Sequence, residues 1–126
     1  MDKDRYTARV TPWPRRADRL RAIEAEILRE KAEALGRAGQ RLEEALDAME
    51  QAGEAIDAVE VRLQQCSDAS ETAQLREAQS ILTARNRLLR DRAREAYQFL
   101  IIHREAVGAR NHLDVERCYN ISERLR

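Results

Sequence analysis

A large apolar residue recurs every seven positions through the first half of the chain, at Leu28, Leu35, Leu42, Met49, Ile56 and Leu63. The alternate positions of the same repeat are Lys31, Ala38, Ala45, Ala52, Val59 and Cys66, and five of these six are small or apolar. A seven-residue period held over five heptads keeps one face of an α-helix apolar and requires a second helix to cover it. Large residues at one seam position and alanine at the other allow that second helix to come close. Gly39 and Gly53 flank the seam, where the lack of a side chain permits the same approach.

The partner helix lies later in the same chain. Leu75, Leu82 and Leu89 keep the seven-residue spacing and lead to Ala96 and His103. The alternate positions hold Ala78, Phe99 and Ala106, with Arg85 and Arg92 interrupting them. Between the two patterns stands a polar break, Ser67-Asp68-Ala69-Ser70, whose side chains can bond backbone groups outside a helix. Asp68 or Ser70 can cap the second helix, and Asp68 with Glu71 has the spacing of a capping box. Gly108 is the expected C-terminal stop.

These marks divide a single helical domain into an irregular lead over 1–13, a helix over 14–66, a turn over 67–70, a helix over 71–107 and a partly helical tail over 109–126. Pro12 and Pro14 are the only prolines, so the helix they open runs without interruption. Folding the helices about the break sets Leu63 opposite Ala78, Ala52 opposite Leu89 and Leu42 opposite Phe99. The fold class expected is all-α, a long antiparallel two-helix coiled-coil hairpin. Composition agrees: 37% of residues are charged and only 4% aromatic, which alone would suit disorder, but the periodicity argues against it.

The two helices differ in length, roughly 80 Å against roughly 55 Å at 1.5 Å per residue. The first turns of the long helix, with Leu20, Ile23 and Ile27, therefore extend past the end of the second. The tail, with Leu113, Val115, Tyr119, Ile121 and Leu125, is one candidate to cover them, and another subunit is the other. The second helix also carries a wide apolar stripe, with Ile81, Leu88, Leu100 and Ile102. A bare hairpin buries little core for its size, so a dimeric four-helix bundle is expected.

Charge narrows the functional classes. The chain holds 23 basic and 23 acidic side chains, which excludes a globally basic nucleic-acid binder. A local patch does exist: Arg85, Arg87, Arg90, Arg92 and Arg94 fall within ten residues and could follow a phosphate backbone. The competing expectation is that they pair with Glu43, Glu44, Asp47, Glu50 and Glu54 of the first helix, and no aromatic residue interleaves them to stack bases. Structural pairing is favoured and nucleic acid is kept as the alternative, with the basic lead (Arg5, Arg9) and Arg15, Arg16 and Arg19 as a possible extension.

Catalytic and metal signatures are missing. His103 and His112 have no ligand at helical spacing, and Cys66 and Cys118 form no C-x-x-C pair. No glycine-rich phosphate loop occurs. The expectation is a protein without enzymatic activity, cofactor or metal. The longest apolar run, Phe99 to Ile102, is too short to cross a bilayer, and the N-terminus lacks the apolar core of a signal peptide. A cytoplasmic chain with no membrane contact is expected.

The least generic stretch is Tyr97 to Tyr119, which holds the only Phe, both His and two of the three Tyr. Its simplest reading is a closed bundle end where the tail folds back on bulky residues. If the chain has a specific contact, this is the place for it. The candidate partner surface is Trp13, Tyr97, His103, Arg104, Arg110, His112 and Tyr119. The function expected is that of a non-enzymatic interaction protein, self-associating and bound to a protein partner.

Overall fold

A computed structural model describes Trp13 and residues 15–125. Helix α1 runs over Arg16–Gln65 and helix α2 over Ala69–Ala106. Two short helices follow, α3 over Leu113–Cys118 and α4 over Ile121–Arg124. All regular structure among the described residues is helical, and α1 packs antiparallel along α2. None of these helices is long and apolar enough to cross a membrane.

The turn forms where the polar break predicted it. Asp68 is the N-cap of α2, and its carboxylate accepts from the Ser70 amide at 3.1 Å. The Thr72 hydroxyl donates to the Asp68 carbonyl at 2.8 Å, closing the first turn. Glu71 does not complete a capping box. It reaches across to Arg62 of α1, at 3.3 Å, and ties the two helices together at the bend. At the other end Gly108 adopts φ +96°. Its amide donates to the Glu105 carbonyl and the Ala109 amide to that of Arg104, both at 3.0 Å. This is a complete Schellman closure, and only glycine takes that conformation without a steric cost.

Along α1 the seam is the predicted one from Leu35 onward, whereas Leu28 and Lys31, expected in it, are exposed because α2 ends beside Lys31. Ala38, Leu42, Met49 and Ala52 are buried, and Leu35, Ala45, Ile56, Val59 and Leu63 are half-buried. Along α2 the frame shifts. The covered positions are Leu75, Ala78, Leu82, Asn86, Leu89, Ala93, Ala96 and Leu100, with one 3-4-4 spacing inserted after Leu75. The insertion turns the helix slightly relative to a strict heptad. It sets Asn86, Ala93 and Leu100 in the seam where Arg85, Arg92 and Phe99 were expected. The cause is desolvation: a seam arginine would have to shed water without a carboxylate partner. Asn86 settles for a bond to the Met49 carbonyl at 3.2 Å. Leu42 accordingly joins a core with Ala93 and Leu100, while Phe99 stays 47% exposed.

The tail doubles back along the middle of the hairpin. Val115, Ile121 and Leu125 enter one cluster with Leu42, Leu46, Met49, Ala93 and Leu100. Leu46 lies off the heptad seam, yet it is only 1% exposed, because the tail covers it. Asn120, in the left-handed region at φ 56°, makes the bend between α3 and α4. The tail therefore does not reach Leu20, Ile23 and Ile27. The contact of Lys31 Nζ with the Ala106 carbonyl, at 3.5 Å, marks where α2 ends beside α1. Beyond it, about 22 Å of α1 projects with every residue exposed.

Candidate functional site

The tail and the hairpin divide the surface into a closed side and an open side. Residues of α1 that meet the tail follow the spacing Gly36, Gly39, Glu43, Leu46 and Glu50. Ala34, Arg41, Ala48 and Ala55 recur at seven-residue steps roughly 200° away around the helix, at 100° per residue. They line three clefts, all on the side away from the tail.

The upper two clefts, about 570 and 190 Å³, share Ala34, Arg37 and His103. Ile27 and Ala106 continue the first, and Phe99 and Ala96 the second. The lower cleft, about 210 Å³, lies between Ala48 and Ala55 of α1 and Leu82, Arg85 and Leu89 of α2. In the lower cleft the small Ala48, Ala52 and Ala55 leave Leu82 and Leu89 within reach of solvent. Ile81, Leu88 and Ile102 of α2 are also exposed. The three clefts form a shallow groove that sets small and apolar side chains beside Glu30, Lys31 and Glu33; it is edged by Arg37, Arg41 and Arg85, none of which takes part in an ion pair among the described residues.

The expected pairing of the α2 arginines with α1 acids is a correction. Among the described residues no such pair forms. Arg85 and Arg92 stand on the open side, one heptad apart. Arg87, Arg90 and Arg94 lie about 200° away, on the side that carries the tail. Arg94 donates through Nε and Nη2 to the Leu125 carbonyl, at 3.1 and 3.0 Å, and approaches Asp91 at 3.6 Å. One α1 acid, Glu50, is instead paired from the tail, by Arg124. The tail was outside the two-helix register from which the pairing was expected.

The predicted partner surface divides in the same way. Tyr97 donates to Glu116 of α3 at 3.4 Å. Arg104 donates through Nε to His112 Nδ1 at 3.3 Å and through Nη2 to the Asn111 carbonyl at 3.2 Å. With Nδ1 accepting, Nε2 of His112 carries the proton and faces Glu105 at 3.2 Å. Tyr119 rests over Gly39, where an added Cβ would come 3.5 Å from the hydroxyl. Tyr97, Arg104, His112 and Tyr119 thus hold the tail. His103 alone of the group lines the open clefts, Arg110 is exposed in the loop after α2, and Trp13 is 86% exposed just ahead of α1.

Burial raises the phenols of Tyr97 and Tyr119 above their usual 10.0, with Glu116 adding to the first and Glu43 to the second. Cys66 bonds around the turn with Thr72 and the Asp68 carbonyl, and Cys118 is exposed; both are free thiols. No group of three or more His, Cys, Asp or Glu side chains among the described residues could hold a metal ion.

The groove had a sequence signal that went unused. Alanine at 34, 48 and 55 repeats on one face, and Ile81, Leu88, Phe99 and Ile102 form a second stripe on α2 beside its seam. Comparison with protein-family models, with curated proteins and with solved structures finds no match for the chain.

Proposed function

We propose that the chain is a non-enzymatic helical interaction protein of the cytoplasm, an adaptor, chaperone-like or structural coiled coil, which self-associates and binds a protein partner in the open groove. The observation that carries this reading is the groove itself, which exposes Ile27, Phe99, Leu82 and Leu89 and is edged by arginines that take part in no ion pair among the described residues. An amphipathic helix fits such a groove by setting residues at i, i+3, i+4 and i+7 into successive clefts. Depth is missing for a small-molecule site, which is normally a concave pocket that buries most of its ligand.

The test fills the groove without touching the buried core. Ala48→Arg combined with Ala55→Arg closes the lower cleft. Affinity capture from the source cell with the original chain and with this variant is expected to lose a specific protein in the variant, at unchanged circular dichroism. Equal capture by both would remove the groove from the proposal.

One observation favours a second reading, nucleic-acid association. Arg85, Arg87, Arg90 and Arg92 take part in no ion pair among the described residues. Against it, these arginines are split over two faces of α2, so a single phosphate backbone meets only part of them. Retention of labelled DNA or RNA that falls steeply with salt, with a slope reduced by about 1 per arginine replaced by glutamine, would support it.

A further inference from the structure

We propose that the projecting end of α1 is covered by the same segment of a second copy, laid antiparallel, so that two hairpins join end to end. This rests on the self-association in the reading above and names its surface.

The overhang, Arg16 to Glu30, is about 22 Å of single helix on which no other described element packs. Leu20, Ile23, Ile27 and Leu28 are between 45% and 63% exposed. An isolated helix of this length is marginal in water, and its stability normally comes from covering its apolar face. The stripe of Leu20, Ile23 and Ile27 also continues into the upper cleft, which Ile27 itself lines beside Ala106. Stripe and cleft are therefore one surface.

Charge identifies the occupant and its direction. Residues 16–22 hold Arg16, Arg19 and Arg21 against Asp18 alone. Residues 24–30 hold Glu24, Glu26 and Glu30 against Arg29 alone. A parallel copy would set basic beside basic and acidic beside acidic. An antiparallel copy sets each basic half beside an acidic half, twice over. Length agrees: two overhangs overlapping fully bring the start of each α1 to the end of the other copy's α2, leaving a rod at least two helices thick throughout. The contact is short, at the lower edge of stable interfaces near 1,200 Å² in total, so a dissociation constant on the order of 10 μM is expected.

Sedimentation equilibrium of the full chain tests this. A monomer–dimer equilibrium is expected, with Leu20→Glu plus Ile23→Glu weakening it at least ~100-fold at unchanged helix content. Arg19→Glu plus Arg21→Glu weakens it about tenfold, as does Glu24→Arg plus Glu26→Arg, and an equal mixture of the two variants regains the original affinity. In a Cys66→Ser, Cys118→Ser background, a short bismaleimide joins Arg16→Cys of one copy to Glu30→Cys of another, and not Arg16→Cys to itself. The inference is overturned if the chain stays monomeric at about tenfold above the expected constant. It is also overturned if the dimer ignores the Leu20/Ile23 changes, or if Arg16→Cys joins to itself. A monomer that still loses a captured protein on Ala48→Arg/Ala55→Arg would sink this interface and leave the groove reading standing.

Discussion

The same helix is treated in opposite ways at its middle and at its start. Between Leu35 and Glu50, α1 is packed by α2 on one side and by the tail on another, and Leu42 and Leu46 are closed to solvent. Between Arg16 and Glu30 it carries an apolar stripe that no other described element covers. Apolar content is therefore not what separates core from surface here. The difference is the number of elements that reach each level, set by where α2 stops and where the tail turns.

The sharpest way to break this comparison is one leucine from each region. Leu46→Ala is expected to cost about 2–5 kcal/mol, since it empties a site closed by three elements, whereas Leu28→Ala should change stability by less than about 0.5 kcal/mol. Urea unfolding of the two variants measures both. Equal losses would mean that the tail does not close over Leu46.

Arg94→Ala probes the clasp more gently. It removes two hydrogen bonds to the Leu125 carbonyl and is expected to cost about 1–2 kcal/mol. Hydrogen exchange should quicken over residues 113–125 and stay unchanged at the turn around Asp68. Faster exchange at both would show that tail and turn melt as one unit.

Gly36→Ala and Gly53→Ala should each stabilise the chain by about 0.5–1 kcal/mol, because an added Cβ meets nothing within 4 Å at either position and alanine is the better helix former. Gly39→Ala should gain less, since its Cβ reaches the Tyr119 hydroxyl. Thermal unfolding compares the three.

The smallest expected change is spectroscopic. Tyr97 and Tyr119 have phenols raised above 10.0 in the folded chain. The unfolded phenols ionise first as pH rises, so the stability they contribute is intact below pH 10.0 and is lost as pH climbs through their folded values. Tyrosinate absorbance should therefore lag in the native protein relative to the urea-unfolded one. Coincident titrations would show that the tail leaves both tyrosines in water.

Much of the architecture is legible in the residues themselves. The heptads of α1 from Leu35 on, the Asp68 cap and the Gly108 stop each encode a local choice that the backbone makes with near neighbours, and these appear where expected. After Leu82 the α2 seam runs one position away from the frame its leucines alone suggest, because that frame would bury Arg85 and Arg92. Of the candidate surface residues, His103 faces the open side, whereas Tyr97, Arg104, His112 and Tyr119 turn inward to hold the tail, a placement set by contacts far apart in the chain.

By itself the sequence determined that two amphipathic rods must fold back at a polar break, since period, caps and turn chemistry act over a few residues. Only the tertiary structure decided where the tail lies, which stripe it covers and which side stays open. Those outcomes depend on contacts between residues far apart in the chain, such as Glu50 with Arg124 and Arg94 with Leu125. Several arginines and several apolar stripes could have served equally well by composition, and it is the three-dimensional packing that chose among them.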